Sequence, residues 1–351
     1  MAFFRKRLLA AAVAVVAMSA AASAADISGA GATFPYPIYA KWADAYKQKT
    51  GNAMNYQSIG SGGGIKQITS KTVDFGATDM PLKGEQLQKE GLAQWPMVMG
   101  GVVPVVNLPG LKPGELKLTG DVLAGIYLGK IQKWNAPEIK QLNPNANLPD
   151  LAILPVRRSD GSGTNFLFTT YLSQISPEFE EKVGAATAVE FPTGVGAKGN
   201  EGVAAMTGRT RGAIGYVEYA YALQNNMTYA QLKNRDGKFV SPDIKAFQAA
   251  ASGADWSSEP GFGVVLTNQP GDASWPITGA TFVLMHKRQN QPQKAKEVLD
   301  FFDWAYHNGD RMAEELHYVP MPSNVTGEVE TMWKKEIVGP DGKPVWTGPA
   351  S

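Results

Sequence analysis

The 351-residue sequence contains no cysteine. That removes disulfides, thiol nucleophiles and thiolate metal ligands from consideration. It also leaves no cysteine behind the export signal described below to carry a lipid anchor. Histidine is nearly as scarce, with three in all. His286, His307 and His317 show no metal-ligand spacing, so a metal centre has little to stand on and no cofactor is expected. No apolar run reaches the roughly 20 residues that a membrane-spanning helix needs. Neither sign of charge prevails, with 33 basic against 32 acidic side chains.

What is present begins with a signal for export. Arg5-Lys6-Arg7 form a basic start, Leu8 to Met18 an apolar core, and Ala22-Ser23-Ala24 a small-residue cleavage site. The apolar core is too short for an uncleaved anchor, so residues 1–24 are expected to be removed and the product to be periplasmic, not a lipoprotein. The remainder then carries 30 basic and 32 acidic residues, a net charge of −2. That balance argues against nucleic acid or an anionic membrane surface as partner. If the protein holds an anion, local geometry must do it.

The length allows two α/β domains with proper cores. Short apolar strands alternate with helical patterns, without repeats or long charge runs, which predicts α/β architecture. Residues 35–50 read as a helix: prolines suit its first turn, Ile38, Trp42 and Tyr46 recur every fourth position, and Gly51 suits its end. Strands are expected at 53–59, 73–77, 97–107, 151–157, 212–217 and 276–285. Residues 295–317 read as helices broken at Asn308-Gly309, and 133–150 as a surface loop. The apolar stretches 97–107 and 276–285 are candidates for passing between two lobes. The first lobe then combines 25–106 with 282–345, the second is 107–281, and 346–351 is a tail. A cleft between lobes is a common ligand site.

Four segments could converge there. Arg158-Ser159-Asp160-Gly161-Ser162-Gly163-Thr164 follows an apolar strand and opens a helix. It offers free backbone N–H groups, hydroxyls, the positive end of a helix dipole and a guanidinium to one oxyanion. Arg157 should point the other way by strand alternation. Asp160 either orients Arg158 or caps the helix. Gly29-Ala30-Gly31-Ala32-Thr33-Phe34 brings backbone close to a ligand and puts the Thr33 hydroxyl at a helix start. Ile59 to Lys66 opens another helix, where Ser61 either caps or binds an anion and Lys66 is solvated. Asp79 follows the strand candidate at 73–77, at the end where α/β ligand sites lie, and is otherwise a turn residue.

Competing motifs are weaker. Gly194-Val195-Gly196-Ala197-Lys198-Gly199 matches a dinucleotide-binding string, but Pro192 intervenes and no ribose-binding acid follows. The serine of Gly161-Ser162-Gly163 lacks the spacing of a nucleophile elbow. A secreted phosphatase would need a nucleophile or metals, and a purely structural exported protein leaves four glycine-hydroxyl turns unexplained.

In these segments, together with Val73 to Asp79 and Gly212 to Tyr219, the sequence resembles the periplasmic phosphate-binding proteins of the phosphate-specific ABC transporter. The motifs occur in the family's order across 26–335. The resemblance implies a two-lobed type II periplasmic-binding-protein fold, its cleft lying between two α/β domains joined by crossover strands. It implies that Thr33, Phe34 through its backbone, Ser61, Asp79, Arg158, Ser162, Gly163 and Thr164 contact inorganic phosphate, with Asp160 supporting Arg158. It further implies a monomeric receptor, not an enzyme, that delivers phosphate to an inner-membrane permease. A sulfate or molybdate receptor is the alternative, which a buried Asp79 would disfavour.

Overall fold

The computed structural model describes residues 26–348, so the expected export signal at 1–24 lies outside the described residues. Thirteen strands follow in chain order: β1 (Ile27–Gly31), β2 (Met54–Ser58), β3 (Phe75–Thr78), β4 (Leu92–Val106), β5 (Lys117–Leu118), β6 (Leu154–Arg158), β7 (Val195–Ala197), β8 (Ala213–Glu218), β9 (Thr228–Tyr229), β10 (Gln231–Lys233), β11 (Phe239–Val240), β12 (Thr278–His286) and β13 (Val319–Pro320). Helices alternate with them in a mixed α/β arrangement.

The main sheet runs β2-β1-β3-β12-β4-β8-β6-β7, with β9 and β13 also paired to β4. Strand β4 organises it. All fifteen of its residues are buried, as its near-continuous apolar sequence demands. Residues 92–101 pair with β12, and Val102 to Val106 pair with β8. One strand therefore serves two halves of the sheet. Pro96 does not break it. The register with β12 shifts between Thr281 and Phe282, opposite Val98 and Pro96, so the missing N–H falls at a bulge.

Strand directions decide where loops meet. β3 and β4 are both antiparallel to β12 and so run the same way, β1 and β2 with them. β8 is antiparallel to β4, and β6 and β7 run with β8. The carboxyl ends of the two strand sets thus face each other across the middle of β4.

Most expected elements are present, and two differ. The segment at 133–150 contains a short helix, Pro137–Leu142, and lies against the core. Buried Trp134, Ile139 and Leu148 hold it down, and the Trp134 Nε1–H donates to the Gly212 carbonyl at 2.9 Å. Residues 29–31, expected as a glycine turn, are the end of β1. A Cβ at Gly29 would lie 2.1 Å from the Phe75 ring, which is why small residues occupy this strand. The helix Tyr36–Thr50 buries Ile38, Trp42 and Tyr46 and ends at Gly51 with φ of 81°. Trp346, in the expected tail, is buried against Trp333.

Gly64 lies where the helix Ser61–Thr69 crosses β1 and β3. A Cβ there would sit 2.5 Å from the Gly31 Cα and 2.7 Å from the Ala30 and Ala77 carbonyl oxygens, all backbone. Gly64→Ala should therefore destabilise by about 1–3 kcal/mol. Gly327→Ala, in the helix Ser323–Glu336 with nothing near its Cβ position, should stabilise by roughly 0.5–1 kcal/mol. Denaturant unfolding checks both; equal midpoints would contradict the packing described.

Candidate functional site

The facing strand ends bring the sequence-predicted residues together. Thr33 and Phe34 follow β1, Ser61 opens the helix after β2, and Asp79 follows β3. Arg158 ends β6, and Ser162 caps the helix Gly163–Ile175, accepting from the Asn165 N–H at 2.9 Å. Thr33, Phe34, Ser61, Asp79, Arg158, Ser162, Gly163 and Thr164 are all buried.

The two groups touch across the gap. The Gly62 N–H donates to the Gly161 carbonyl at 2.9 Å. Gly60 has φ of 86°, and a Cβ there would meet the Asp160 carboxylate and the Gly161 carbonyl oxygen at 2.6 Å. A Cβ at Gly163 would lie 2.4 Å from Asp79 Oδ2 and 2.5 Å from Ser61 Oγ. Glycine at 163 is what lets a helix start sit against the Asp79 carboxyl.

The hydrogen bonds share one direction. Ser61 Oγ accepts from the Asp79 N–H. Thr33 Oγ1 accepts from Arg158 Nη1, the Asn200 N–H and Asn200 Nδ2. Thr164 Oγ1 accepts from Asn200 Nδ2, and Ser162 Oγ serves its cap. Each of these four hydroxyl oxygens is engaged as an acceptor, and none donates to an acceptor among the described residues. Their O–H bonds remain to be given. Arg158 binds Asp160 through Nε at 2.7 Å and Nη2 at 2.5 Å. With Nη1 on Thr33, two of the five guanidinium N–H bonds are left. The first N–H groups of the helix Gly163–Ile175 have no partner within the helix.

Asp160 both steadies Arg158 and accepts from the Gly199 N–H at 3.2 Å. Burial pushes its carboxyl up, but these bonds and the guanidinium charge outweigh burial and hold it below the ordinary value. Arg157 turns to the other face and lies over the Phe191 ring, and Lys66 is exposed.

Asp79 is the exception among donors. It is 1% exposed, and neither carboxyl oxygen has a hydrogen-bond partner among the described residues. Burial pushes it up to about 7; Thr281 and the Arg158 charge pull the other way without offsetting this. The Thr281 hydroxyl makes no hydrogen bond of regular geometry. The site thus gathers hydroxyl and N–H donors around one dry carboxyl acceptor. That set suits a small oxyanion that still carries a proton.

Several participants escaped the sequence reading. Asn200 ties Thr33 to Thr164 and accepts from the Glu218 N–H at 2.8 Å. Tyr221 donates to the Thr33 carbonyl, and Tyr318 to the Phe34 carbonyl, both at 2.6 Å. Tyr216 accepts from the Arg158 N–H at 3.0 Å. The string Gly194–Gly199 was the available signal for Asn200. It forms β7 and starts the helix Gly199–Arg209, so its glycines lead a helix start to this site.

Two other features lie apart. A groove between the helices Gly84–Glu90 and Ser323–Glu336 shares no residue with the site, and no lining side chain is a buried polar group without partner among the described residues. His307 has Asp303, four residues earlier on its own helix, at 3.5 Å and Glu330 of a second helix at 3.6 Å, and only the latter proximity is invisible to sequence spacing. His286 bonds the Ile68 carbonyl, and His317 packs edge-on to Tyr219.

Facing α/β halves with a candidate anion site between them are the arrangement of a solute-binding receptor, and a model of the PBP superfamily domain matches residues 17–308. The phosphate-binding protein PstS of Pasteurella multocida is 56% identical over 323 residues, covering 92% of this chain and 94% of its own length. PstS of Haemophilus influenzae is 54% identical, covering 90% and 95%. A solved structure of a putative phosphate ABC transporter substrate-binding protein with bound phosphate from Clostridium perfringens aligns with a TM-score of 0.62 at 19% identity, covering 85% of this chain and 100% of that one. The chain belongs to the PstS family of phosphate-binding proteins within the PBP superfamily. Among the described residues no helix is long and apolar enough to cross a membrane.

Asp79 makes the ligand-free protein sensitive to pH. The folded state holds its proton up to about pH 7, the unfolded chain only to about 3.8. Between these values the folded state binds more protons, so stability falls as pH rises, by on the order of 4 kcal/mol in full. Asp79→Asn should flatten that slope and exceed the wild type in stability above pH 7. Denaturant midpoints across this range test it; an unchanged slope would contradict a dry carboxyl.

Proposed function

We propose that this protein is a receptor for inorganic phosphate that binds the anion in the periplasm and hands it to the inner-membrane permease of a phosphate-specific ABC transporter. The observation that carries this reading is the buried carboxyl of Asp79, which has no hydrogen-bond partner among the described residues and is set among hydroxyl and N–H groups that still have protons to give. At neutral pH phosphate keeps at least one proton and sulfate keeps none. Phosphate can therefore donate to Asp79 while its other oxygens accept. Sulfate would leave the carboxylate unpaired and facing lone pairs.

Removing a bare ion from water costs on the order of 20 kcal/mol in the idealised limit. Hydrogen bonds to charged groups return roughly 1.5–3 kcal/mol net each. Several such bonds, with helix N-termini, suffice for the ~8 kcal/mol of micromolar binding. Thr33, the Phe34 N–H, Ser61 and Asp79 are assigned to one side of the anion; Arg158, Ser162, Gly163 and Thr164 are assigned to the other. Asp160 holds Arg158 in place. The lobes are assigned to 25–106 with 282–345 and to 107–281, and they close on the ligand. The protein acts as a monomer without catalysis, after removal of residues 1–24.

Calorimetric titration of ligand-stripped protein with phosphate, arsenate and sulfate tests this. Phosphate should bind, arsenate should compete because it has the same shape and keeps a proton, and sulfate should not. Scattering should register compaction with phosphate. Arg158→Ala should weaken phosphate binding by about tenfold or more, the loss of at least one charged hydrogen bond. Sulfate binding as tightly as phosphate, or an Arg158→Ala variant with unchanged affinity, would overturn the assignment.

A further inference from the structure

Glu218 is the last residue of β8 and pairs with Val102, where β4 passes from one half of the sheet to the other. It is fully buried. Its Oε2 accepts from the Ala220 N–H at 2.9 Å and lies 2.8 Å from the Tyr318 hydroxyl. The same hydroxyl lies 2.6 Å from the Phe34 carbonyl oxygen. Tyr318 has one proton and two oxygens to satisfy. The Phe34 carbonyl can only accept, so the tyrosine proton belongs there. The contact between Tyr318 and Glu218 then needs a proton from the carboxyl. Tyr318 and Glu218 are both 0% exposed, so bulk water does not supply one. Tyr221 makes the contrast: its hydroxyl touches the Thr33 carbonyl and Glu201, but Glu201 is exposed to solvent.

We infer that Glu218 is a neutral carboxylic acid in the folded protein and that, through Tyr318, it is the positioning residue for the Phe34 carbonyl and hence for the Thr33-Phe34 turn at the anion site. The second oxygen agrees. Oε1 has no hydrogen-bond partner among the described residues, a poor setting for half of a carboxylate. The ionisable groups that face Glu218 are Tyr318 beside β13, Asp79 after β3, and Tyr219 and Tyr221 in the helix that follows β8. None is a cation. Burial, with the Asp79 charge adding to it, pushes the Glu218 carboxyl well above the ordinary range, and the bonds from Tyr318 and from the Ala220 and Tyr219 N–H groups do not offset this. A neutral acid also has a functional advantage, because an ionised Glu218 would place a second negative charge near an incoming anion.

The acid itself and its role are tested separately, since the role rests on the proposed phosphate site. With glutamate labelled at 13Cδ, which leaves Asp79 silent, difference infrared spectra at neutral pH should contain a carboxylic-acid C=O band that is lost in Glu218→Gln. A protein with only carboxylate bands would overturn the inference. In phosphate titrations, Tyr318→Phe and Glu218→Leu should each weaken affinity by about tenfold, the loss of roughly one buried hydrogen bond. Glu218→Gln, whose amide can still donate to the tyrosine oxygen, should rescue to within about threefold, a fraction of that one bond. If Glu218→Leu does not fold, Tyr318→Phe alone decides. Wild-type affinity in these variants would overturn the positioning role. A protein that has the acid band but binds no phosphate would sink the receptor reading and leave the protonation of Glu218 standing.

Discussion

A carboxyl taken out of water with nothing to accept from is costly, and the arrangement of this protein turns on one such group. Asp79 stands at the carboxyl end of β3, sealed by the helix start at Gly163 and by Ser61. Left alone it retains a proton to about pH 7, far above an aspartate in water. The hydroxyls of Thr33, Ser61, Ser162 and Thr164 around it already accept hydrogen bonds and keep their protons to give. An acceptor in a ring of donors is uneconomical for folding and apt for recognising an anion that brings its own proton. Stability is given up at the site and regained in the large aromatic core around Tyr39, Phe75, Trp95 and Phe302.

The fold supplies the convergence. β4 is shared by both halves of the sheet, and opposite strand directions on either side of it aim two sets of helix starts at one point. Glycines matter where neighbours approach too closely for a Cβ, at Gly60 and Gly163 in the site and at Gly29 and Gly64 behind it. The polar network behind the site is continuous from Asn200 through Thr33 to Arg158 and Asp160. A second buried carboxyl, Glu218, joins the strand end of β8 to the turn after β1 by way of Tyr318. Two buried acids thus stand in different settings: Asp79 has no hydrogen-bond partner among the described residues, and Glu218 is tied through Tyr318 to the turn after β1.

Local signals carried most of what could be read beforehand. Strand, glycine turn and helix start are contiguous in sequence, so the segments at Thr33, Ser61 and Arg158 to Thr164 were visible from composition and order. Asp79 was visible only as a strand-end carboxylate, and its isolation depends on packing. The family resemblance, more than periodicity, singled out the contacts together. The glycines of β1 suggest a turn that approaches a ligand, whereas Gly29 is required by the Phe75 ring and Gly31 by the Ala77 backbone. The helix at Pro137–Leu142 was hidden by prolines and asparagines around three buried apolar residues. Asn200 sits 167 residues from Thr33, and Tyr318 lies 100 residues from Glu218, so no local pattern announces either pair.

The central claim is that the lone carboxyl acceptor chooses the ligand. Comparing phosphate and sulfate affinities of the wild type with those of Asp79→Asn tests it most directly. The wild type should favour phosphate by about 10⁴-fold or more, as expected when a buried polar partner is left unpaired by the wrong ligand. The asparagine variant should lose about 100-fold or more of that preference while losing less affinity for phosphate itself, because its amide can donate to sulfate. A preference unchanged by the substitution would contradict the account.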